Sequence, residues 1–115
     1  MDKIKEILLK FRDERDWSQF HDPKNLAEAI SIEAGELLEL FLWRNKEEVN
    51  KKIKEDKDYE EKIAQELADV FIFCFQMCNT LDFDAKDIIL KKIEKNRQKY
   101  PVEKARGNFK KYSEF

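Results

Sequence analysis

Residues 66–75, Glu-Leu-Ala-Asp-Val-Phe-Ile-Phe-Cys-Phe, end in the longest apolar run of the chain, Val70–Phe75. A helix with apolar side chains in every direction has no face suited to water, so we expect this segment to be buried all round. The rest of the chain favours helices over strands, because Gly and Pro together number only four and the strand-favouring Val and Thr together also number four. The sequence therefore predicts an all-α fold.

Apolar residues at helical spacing predict four long helices in a chain whose 115 residues suffice for one domain. The first is predicted over about 2–15, the second from Pro23 to about Trp43, the third up to about Leu81, and the fourth from the cap residue Asp84 to near Tyr100. The charged stretch 45–62 predicts a short solvated helix before the third long one. We predict one domain over 1–115, with a helical core at 1–100 and a C-terminal tail at 101–115.

The apolar run also predicts that several copies of the chain assemble. A four-helix protomer of this size offers few places that are buried on every side. Part of the third helix is therefore expected to pack against another subunit, which makes the fold a four-helix bundle completed by oligomerisation.

Composition argues against several classes of protein. The net charge of −2 gives no overall attraction to nucleic acid or to an anionic membrane, and the apolar run falls far short of a bilayer span. The charged, amphipathic stretch 1–10 is unlike a signal peptide. Cys74 and Cys78 lie one helical turn apart, where a disulfide closes almost no loop, so we expect reduced thiols in a cytoplasmic protein.

Two pairs of acids are the most informative polar residues. Glu33 and Glu36 lie three apart on the second predicted helix, and Glu66 and Asp69 lie three apart on the third. Residues at this spacing share a helix face, and both faces adjoin apolar stripes. In two antiparallel neighbouring helices, the four carboxylates would meet at the edge of the core and repel one another. A hard divalent cation such as Mg²⁺, which prefers oxygen ligands, relieves that repulsion.

The acids also allow other interpretations. In a chain with 25 acidic residues, pairs spaced by three arise by chance on solvent-facing helices. A non-haem di-iron bundle needs Glu-x-x-His on two helices, and the single histidine, His21, lies in a predicted loop. A non-catalytic oligomeric helical interaction module fits the apolar third helix. Such a module does not explain why the four acids lie on the same helix faces as the apolar residues that are expected to form the core.

Glu33-Ala34-Gly35-Glu36 followed by Glu66-Leu67-Ala68-Asp69 resembles the ExxE…ExxD signature of the MazG-like, all-α nucleoside triphosphate pyrophosphohydrolases. Segments that look like the dCTP pyrophosphatase branch of that superfamily are spread over nearly the whole length. They are 12–21, Pro23-Lys24-Asn25-Leu26, Phe41-Leu42-Trp43, Asn96-Arg97-Gln98-Lys99-Tyr100-Pro101 and 110–114. By this resemblance, 1–115 is a single MazG-like nucleotide pyrophosphohydrolase domain.

The resemblance implies Mg²⁺-dependent hydrolysis of a (deoxy)nucleoside triphosphate, dCTP or a modified dCTP, to the monophosphate and pyrophosphate. Such a reaction would remove excess or non-standard nucleotides from the cellular pool. The implied metal ligands are Glu33, Glu36, Glu66 and Asp69, with Glu33 or Glu36 as the catalytic base. Physically, the cation neutralises phosphate oxygens and acidifies a water, and a carboxylate orients or deprotonates that water.

The resemblance also implies residues for the rest of the substrate. The phosphate-binding residues are expected to be Lys92, Asn96, Lys99 and Tyr100, and the base-binding residues Trp17, His21 and Trp43. An aromatic face can stack on any base, so these tryptophans give affinity without much discrimination. The implied assembly is a homodimer or homotetramer.

Overall fold

A computed structural model describes residues 2–115, so the first residue of the predicted domain lies outside the described residues. The described chain contains helices and turns and no strand, which confirms the predicted all-α fold. Its six helices are α1 (Asp2–Glu14), α2 (Pro23–Glu39), α3 (Lys46–Glu55), α4 (Lys57–Leu81), α5 (Ala85–Lys99) and α6 (Val102–Ala105), with 3₁₀ turns at Ser18–Phe20 and Tyr112–Glu114. Within residues 2–115, no helix combines the length and the apolarity needed to cross a bilayer.

The helices form two compact units. The first ends at Asp82 and contains α1 to α4, and the second covers Phe83–Phe115 and contains α5 and α6. In the first unit, α4 is the central element and packs against α1, α2 and α3. The assignment of 1–115 to one domain with a tail from 101 stays a prediction.

Two helices start at the acids that the sequence singles out. Asp22 accepts a hydrogen bond from the backbone N–H of Asn25 at 2.8 Å, with Pro23 as the first helical residue of α2. Asp84 accepts from the backbone N–H of Asp87 at 3.0 Å at the start of α5. A carboxylate at the N-cap satisfies an amide that would otherwise lack a partner, so both predicted caps are confirmed.

The end of α2 differs from the prediction. The helix stops at Glu39, whereas the apolar pattern predicts an extension to about Trp43. Trp43 adopts a left-handed backbone with φ of 66°, which cannot continue a right-handed helix. The carbonyl oxygen of Leu40 accepts side-chain hydrogen bonds from Tyr59 at 2.6 Å and from Arg44 at 3.1 Å. A tertiary hydrogen bond from Tyr59 and a local one from Arg44 thus take the place of one more helical turn.

Hydrogen bonds at both ends fix the register of α2 against α4. At one end, the Tyr59 hydroxyl near the start of α4 donates to Leu40, just past the end of α2. At the other end, the Thr80 hydroxyl in the last turn of α4 donates to the carbonyl of His21 at 2.9 Å, just before α2 begins. The two helices are therefore antiparallel. The same register puts the middle of α2, around residue 33, opposite residues 66–69 of α4.

The core of the first unit is small. Among the described residues, the apolar side chains with almost no exposure are Leu8 on α1, Leu26 on α2 and Tyr59 on α4. Gln76 on α4 is equally buried and donates its side-chain N–H to the carbonyl of Leu8 at 2.9 Å. A buried amide with a partner costs little, so this polar contact joins α1 to α4 inside the core.

A single chain does not bury the apolar run on every side. Phe71 is 54% exposed and Ile72 is 38% exposed on α4. In the second unit, Ile89 and Leu90 of α5 are each more than half exposed. In each unit, exposed apolar side chains of this kind are typical of a surface that associates with another protein surface.

The second unit is closed at its C-terminal end by aromatic contacts. The ring of Tyr100 meets the rings of Tyr112 and Phe115 edge to face, at centroid distances of 6.1 and 5.9 Å. Edge-to-face pairs add stability beyond the area that they bury. The 3₁₀ turn Tyr112–Glu114 is thereby folded back onto the end of α5.

Leu26→Ala should lower the free energy of unfolding by about 2–5 kcal/mol, because it leaves a cavity where a fully buried leucine sat. The control is Glu28→Ala on the exposed face of the same helix, where we expect a change below about 0.5 kcal/mol. Urea unfolding followed by circular dichroism measures both. Equal losses in the two variants would contradict the location of the core.

Candidate metal centre

The antiparallel packing of α2 on α4 brings acids from the two helices together. Carboxylate oxygens of Glu33, Glu66 and Asp69 all lie within 4.8 Å of one another. All three side chains are half-buried. Glu36 lies one turn along α2 from Glu33 and interacts electrostatically with both Glu33 and Glu66. The four acids that the sequence singles out therefore form one cluster, which we call the carboxylate cluster.

The environment of the carboxylate cluster resists negative charge. The pKa of Glu33 is raised from 4.5 to about 6, first by burial and then by the neighbouring carboxyls of Glu36, Asp69 and Glu66. The pKa of Glu66 is also raised, first by burial and then by Glu36. Both causes penalise the charged form of a carboxyl group. The cluster as it stands is an unfavourable place for four negative charges.

Two oxygen atoms of the cluster lack partners. Within residues 2–115, the Oε2 atoms of Glu33 and Glu66 are buried and accept no hydrogen bond. A buried acceptor without a donor is costly, and native proteins satisfy nearly all such atoms. Oxygen ligands from several carboxylates suit a hard divalent cation, which would use these lone pairs and offset the charge. The residues present therefore fit a divalent metal ion.

The predicted base-binding residues lie in two places. Trp17 and His21 belong to the loop between α1 and α2, where the ring of Trp17 meets the ring of Phe11 edge to face at 5.8 Å. The pKa of His21 is lowered, first by burial and then by the Arg12 charge, so its imidazole is neutral near pH 7. Trp43 lies in the turn after α2 and is 92% exposed.

The predicted phosphate-binding residues belong to the second unit. Lys92, Asn96 and Lys99 lie on α5, and Tyr100 follows as its last cap residue. The Lys99 ammonium lies 4.9 Å from the centre of the Tyr112 ring. Whether these residues act together with the carboxylate cluster stays a prediction.

The second unit contains a cavity that is not predicted from the sequence. The cavity measures about 550 Å³ and is lined by Lys95, Gln98, Lys99, Pro101, Lys104, Tyr112 and Phe115. A sequence signal for it exists, since Lys95 and Lys99 lie four apart and share a helix face. Lys104 lies beyond Tyr100 and Pro101, where α5 has ended, so helical spacing does not relate it to the other two lysines. Its place at the cavity depends on the fold of 101–115.

The hydrogen bonds that hold the loop between α1 and α2 are also not predicted from the sequence. The side-chain amide of Asn25 donates to the carbonyl of Phe20 at 3.1 Å, and Thr80 donates to His21 from the far end of α4. Asn25 could have been identified, because it lies three residues after the N-cap Asp22. Thr80 is 59 residues from its partner. Nothing in the local sequence links the two.

Comparison with known proteins identifies the family to which this all-helical chain belongs. The MazG-like family model matches residues 29–115. The chain belongs to the MazG-like family, which confirms the resemblance drawn from the ExxE and ExxD pairs. The family implies a divalent metal cation, and the carboxylate cluster has the donors for one.

Individual relatives extend this comparison over almost the whole chain. Rat (Rattus norvegicus) dCTP pyrophosphatase 1 is 35% identical over 99% of this chain and 66% of its own length. Human (Homo sapiens) dCTP pyrophosphatase 1 is 34% identical with the same coverage. The chain thus spans about two thirds of these curated relatives. The crystal structure of a pyrophosphatase from Archaeoglobus fulgidus superposes with a TM-score of 0.80 at 39% identity, covering 88% of this chain and 92% of that one.

Without divalent metal, stability should fall as pH rises between about 4.5 and 6. The native state holds a proton on Glu33 more tightly than the unfolded state does, so the stability that it contributes at low pH is lost as the pH passes the raised pKa. Urea unfolding in chelator measures this trend. Saturating Mg²⁺ should remove the fall, because a bound cation favours the charged carboxylates.

The control for this prediction is Glu33→Gln, which cannot titrate. His21, with its lowered pKa, changes stability in the opposite direction up to pH 6.5, so the difference between the two proteins is the readout. Parallel pH profiles for the unmodified chain and Glu33→Gln in chelator would contradict the raised pKa of Glu33.

Proposed function

We propose that this chain is a Mg²⁺-dependent nucleoside triphosphate pyrophosphohydrolase that converts dCTP or a modified dCTP to the monophosphate and pyrophosphate. The observation that carries the proposal is the convergence of half-buried carboxylates from two helices, two of which have buried oxygens without a hydrogen bond. The rat and human relatives are dCTP pyrophosphatases, which supports dCTP as the substrate.

In this proposal, Glu33, Glu36, Glu66 and Asp69 hold Mg²⁺. Oxygen donors and the surplus of negative charge favour a small, hard cation over softer metals. Mg²⁺ held there would neutralise phosphate oxygens and make a water easier to deprotonate. The packing of α2 on α4 holds the carboxylates close together in spite of their mutual repulsion, so the ligands are in place before the metal ion binds.

Glu33 or Glu36 acts as the general base. A base must lie within reach of the attacking water and accept its proton at working pH. Glu33 is supported by its half-buried position and by its Oε2 atom, which is buried and accepts no hydrogen bond from the described residues, so an acceptor is available to a water. Glu36 is the more exposed of the two, which supports it as the group that orients the water.

The triphosphate is bound by Lys92, Asn96, Lys99 and Tyr100. The cavity beside Lys99 supports this assignment, because it contains two further lysines and no acidic side chain among its described lining residues. On the same helix, Lys91 pairs with Asp87 and Arg97 pairs with Glu94. These two acids are thus paired with cations that do not line the cavity. The positive charge of the cavity lysines therefore favours an anionic ligand.

The nucleobase is bound by Trp17, His21 and Trp43. Support for Trp43 comes from its exposure of 92% together with its left-handed backbone, since a strained and fully exposed tryptophan adds nothing to the packing of its own chain. Trp17 is 43% exposed, which leaves part of its face for a base. The neutral imidazole of His21 can donate or accept one hydrogen bond at each nitrogen.

The active form is a homodimer or homotetramer in the cytoplasm. The apolar surfaces of α4 and α5 support assembly, because a monomer would leave them in water. Cys74 and Cys78 lie one helical turn apart on α4, where a disulfide would close almost no loop, and this spacing agrees with a reducing compartment. The same surfaces support the second candidate, a non-catalytic helical interaction module. That candidate predicts no response to Mg²⁺.

Pyrophosphate release from a panel of dNTPs and NTPs, including 5-substituted dCTPs, tests the proposal. We expect release that requires Mg²⁺ and is fastest with dCTP or a modified dCTP. Comparable rates for all bases would leave a pyrophosphohydrolase without a cytosine preference. Absence of release from every nucleotide would reject the enzyme and favour the interaction module.

Replacing single acids of the carboxylate cluster tests their role. Glu36→Gln and Asp69→Asn should each lower kcat at least about 100-fold, while the helical circular dichroism signal and the assembly are preserved. The matched control is Glu39→Gln on the same helix, outside the proposed ligand set, where we expect kcat within about two-fold. Near-normal turnover in Asp69→Asn would overturn the metal-site assignment.

A further inference from the structure

The loop between α1 and α2, residues 16–22, has little apolar burial to hold it. Trp17 is 43% exposed and Phe20 is 57% exposed, and one short 3₁₀ turn is its regular structure. Loops with few buried contacts open more easily than helices do. The position of this loop therefore depends on its hydrogen bonds.

These hydrogen bonds reach the loop from both of its ends and from α4. At the start of the loop, the backbone N–H of Trp17 donates to the carbonyl of Arg12 at 3.0 Å. At its end, the Asn25 side chain donates to the carbonyl of Phe20 at 3.1 Å. Thr80 joins the loop to α4 by donating to the carbonyl of His21 at 2.9 Å, in a partly buried position. The contact from Thr80 fixes the loop relative to the helix that carries Glu66 and Asp69.

Thr80 has another partner available and does not use it. A helical threonine can turn its hydroxyl back to a carbonyl of its own preceding turn, which is the common local arrangement. Here the hydroxyl crosses to a different segment. The adjacent Asn79 instead donates within α4, to the side-chain oxygen of Gln76 at 3.1 Å. Of these two neighbouring polar side chains, Asn79 thus makes its described hydrogen bond within α4, and Thr80 makes its described hydrogen bond to the loop.

We propose that Thr80 is a positioning residue for nucleobase recognition. Its hydrogen bond to His21 sets the place of the loop that presents Trp17 and His21, so Thr80 acts on the substrate through the loop without touching it. The inference rests on the proposed function, specifically on the assignment of Trp17 and His21 to the base. It adds a residue that lies on α4 like Glu66 and Asp69, but outside the carboxylate cluster and without a part in the chemical step.

Thr80→Val tests the proposal, because it removes the hydroxyl and nearly keeps the shape. With the triphosphate that the unmodified chain hydrolyses fastest, we expect KM to rise about three- to ten-fold and kcat to stay within two-fold, as for the loss of one hydrogen bond that orders a binding loop. Thr80→Ser retains a hydroxyl and should restore KM to within two-fold. Thr80→Ala repeats the test if Thr80→Val does not fold.

Asn79→Ala is the matched control. It removes a side-chain hydrogen bond of 3.1 Å that lies within α4 in the same helical turn, and it does not change the residues of the loop contact. We expect a similar loss of thermal stability and a KM within two-fold of the unmodified chain. An equal rise of KM in Asn79→Ala and Thr80→Val would overturn the proposal, since both would then act through stability alone.

A double variant separates positioning from a general effect. If Thr80 acts through Trp17, the KM of Trp17→Ala should rise no further when Thr80→Val is added. Hydrogen exchange of the amides of residues 17–22 should be faster in Thr80→Val than in Asn79→Ala. Multiplicative effects on KM, or an unchanged KM in an active Thr80→Val enzyme, would reject the proposal. A failure of the proposed function differs, because then the unmodified chain itself releases no pyrophosphate.

Discussion

Mutual repulsion among half-buried carboxylates is the constraint that the rest of this structure must accommodate. Oxygens of Glu33, Glu66 and Asp69 lie within 4.8 Å of one another, and burial together with the neighbouring acids raises the pKa of Glu33 to about 6. Such a cluster lowers the stability of the native state unless something offsets its charge. In our proposal, this loss of stability is offset by the gain of a preformed set of metal ligands, an exchange that is common where proteins bind metal or substrate.

The cluster can exist because its two helices are held at their ends rather than at the acids. Tyr59 joins the start of α4 to the end of α2, and Thr80 joins the end of α4 to the loop before α2. Leu26 contributes apolar burial on α2. Packing and neutral hydrogen bonds thus provide the free energy that keeps opposing acids close. In our proposal, one of these contacts, that of Thr80, also serves the base-binding loop.

Local signals in the sequence were sufficient for much of the fold. Asp22 with Pro23, and Asp84, marked helix starts because capping depends on residues within three positions. The acids could be paired because a spacing of three puts them on one face. The predicted end of α2 is wrong, since one of the hydrogen bonds made to Leu40 comes from Tyr59, 19 residues away, and belongs to the tertiary structure. The hydrogen bond from Thr80 to His21 could not be predicted either, because no local pattern encodes a partner 59 residues away.

The binding of Mg²⁺ to the carboxylate cluster can be measured directly by calorimetric titration, without any substrate. The two proteins to compare are the chelator-treated chain and a variant in which all four acids are neutralised, Glu33→Gln, Glu36→Gln, Glu66→Gln and Asp69→Asn. We expect saturable Mg²⁺ binding by the unmodified chain, none by the variant, and a higher metal-free stability for the variant. Equal Mg²⁺ binding by both proteins, or none by either, would contradict a metal centre at this cluster.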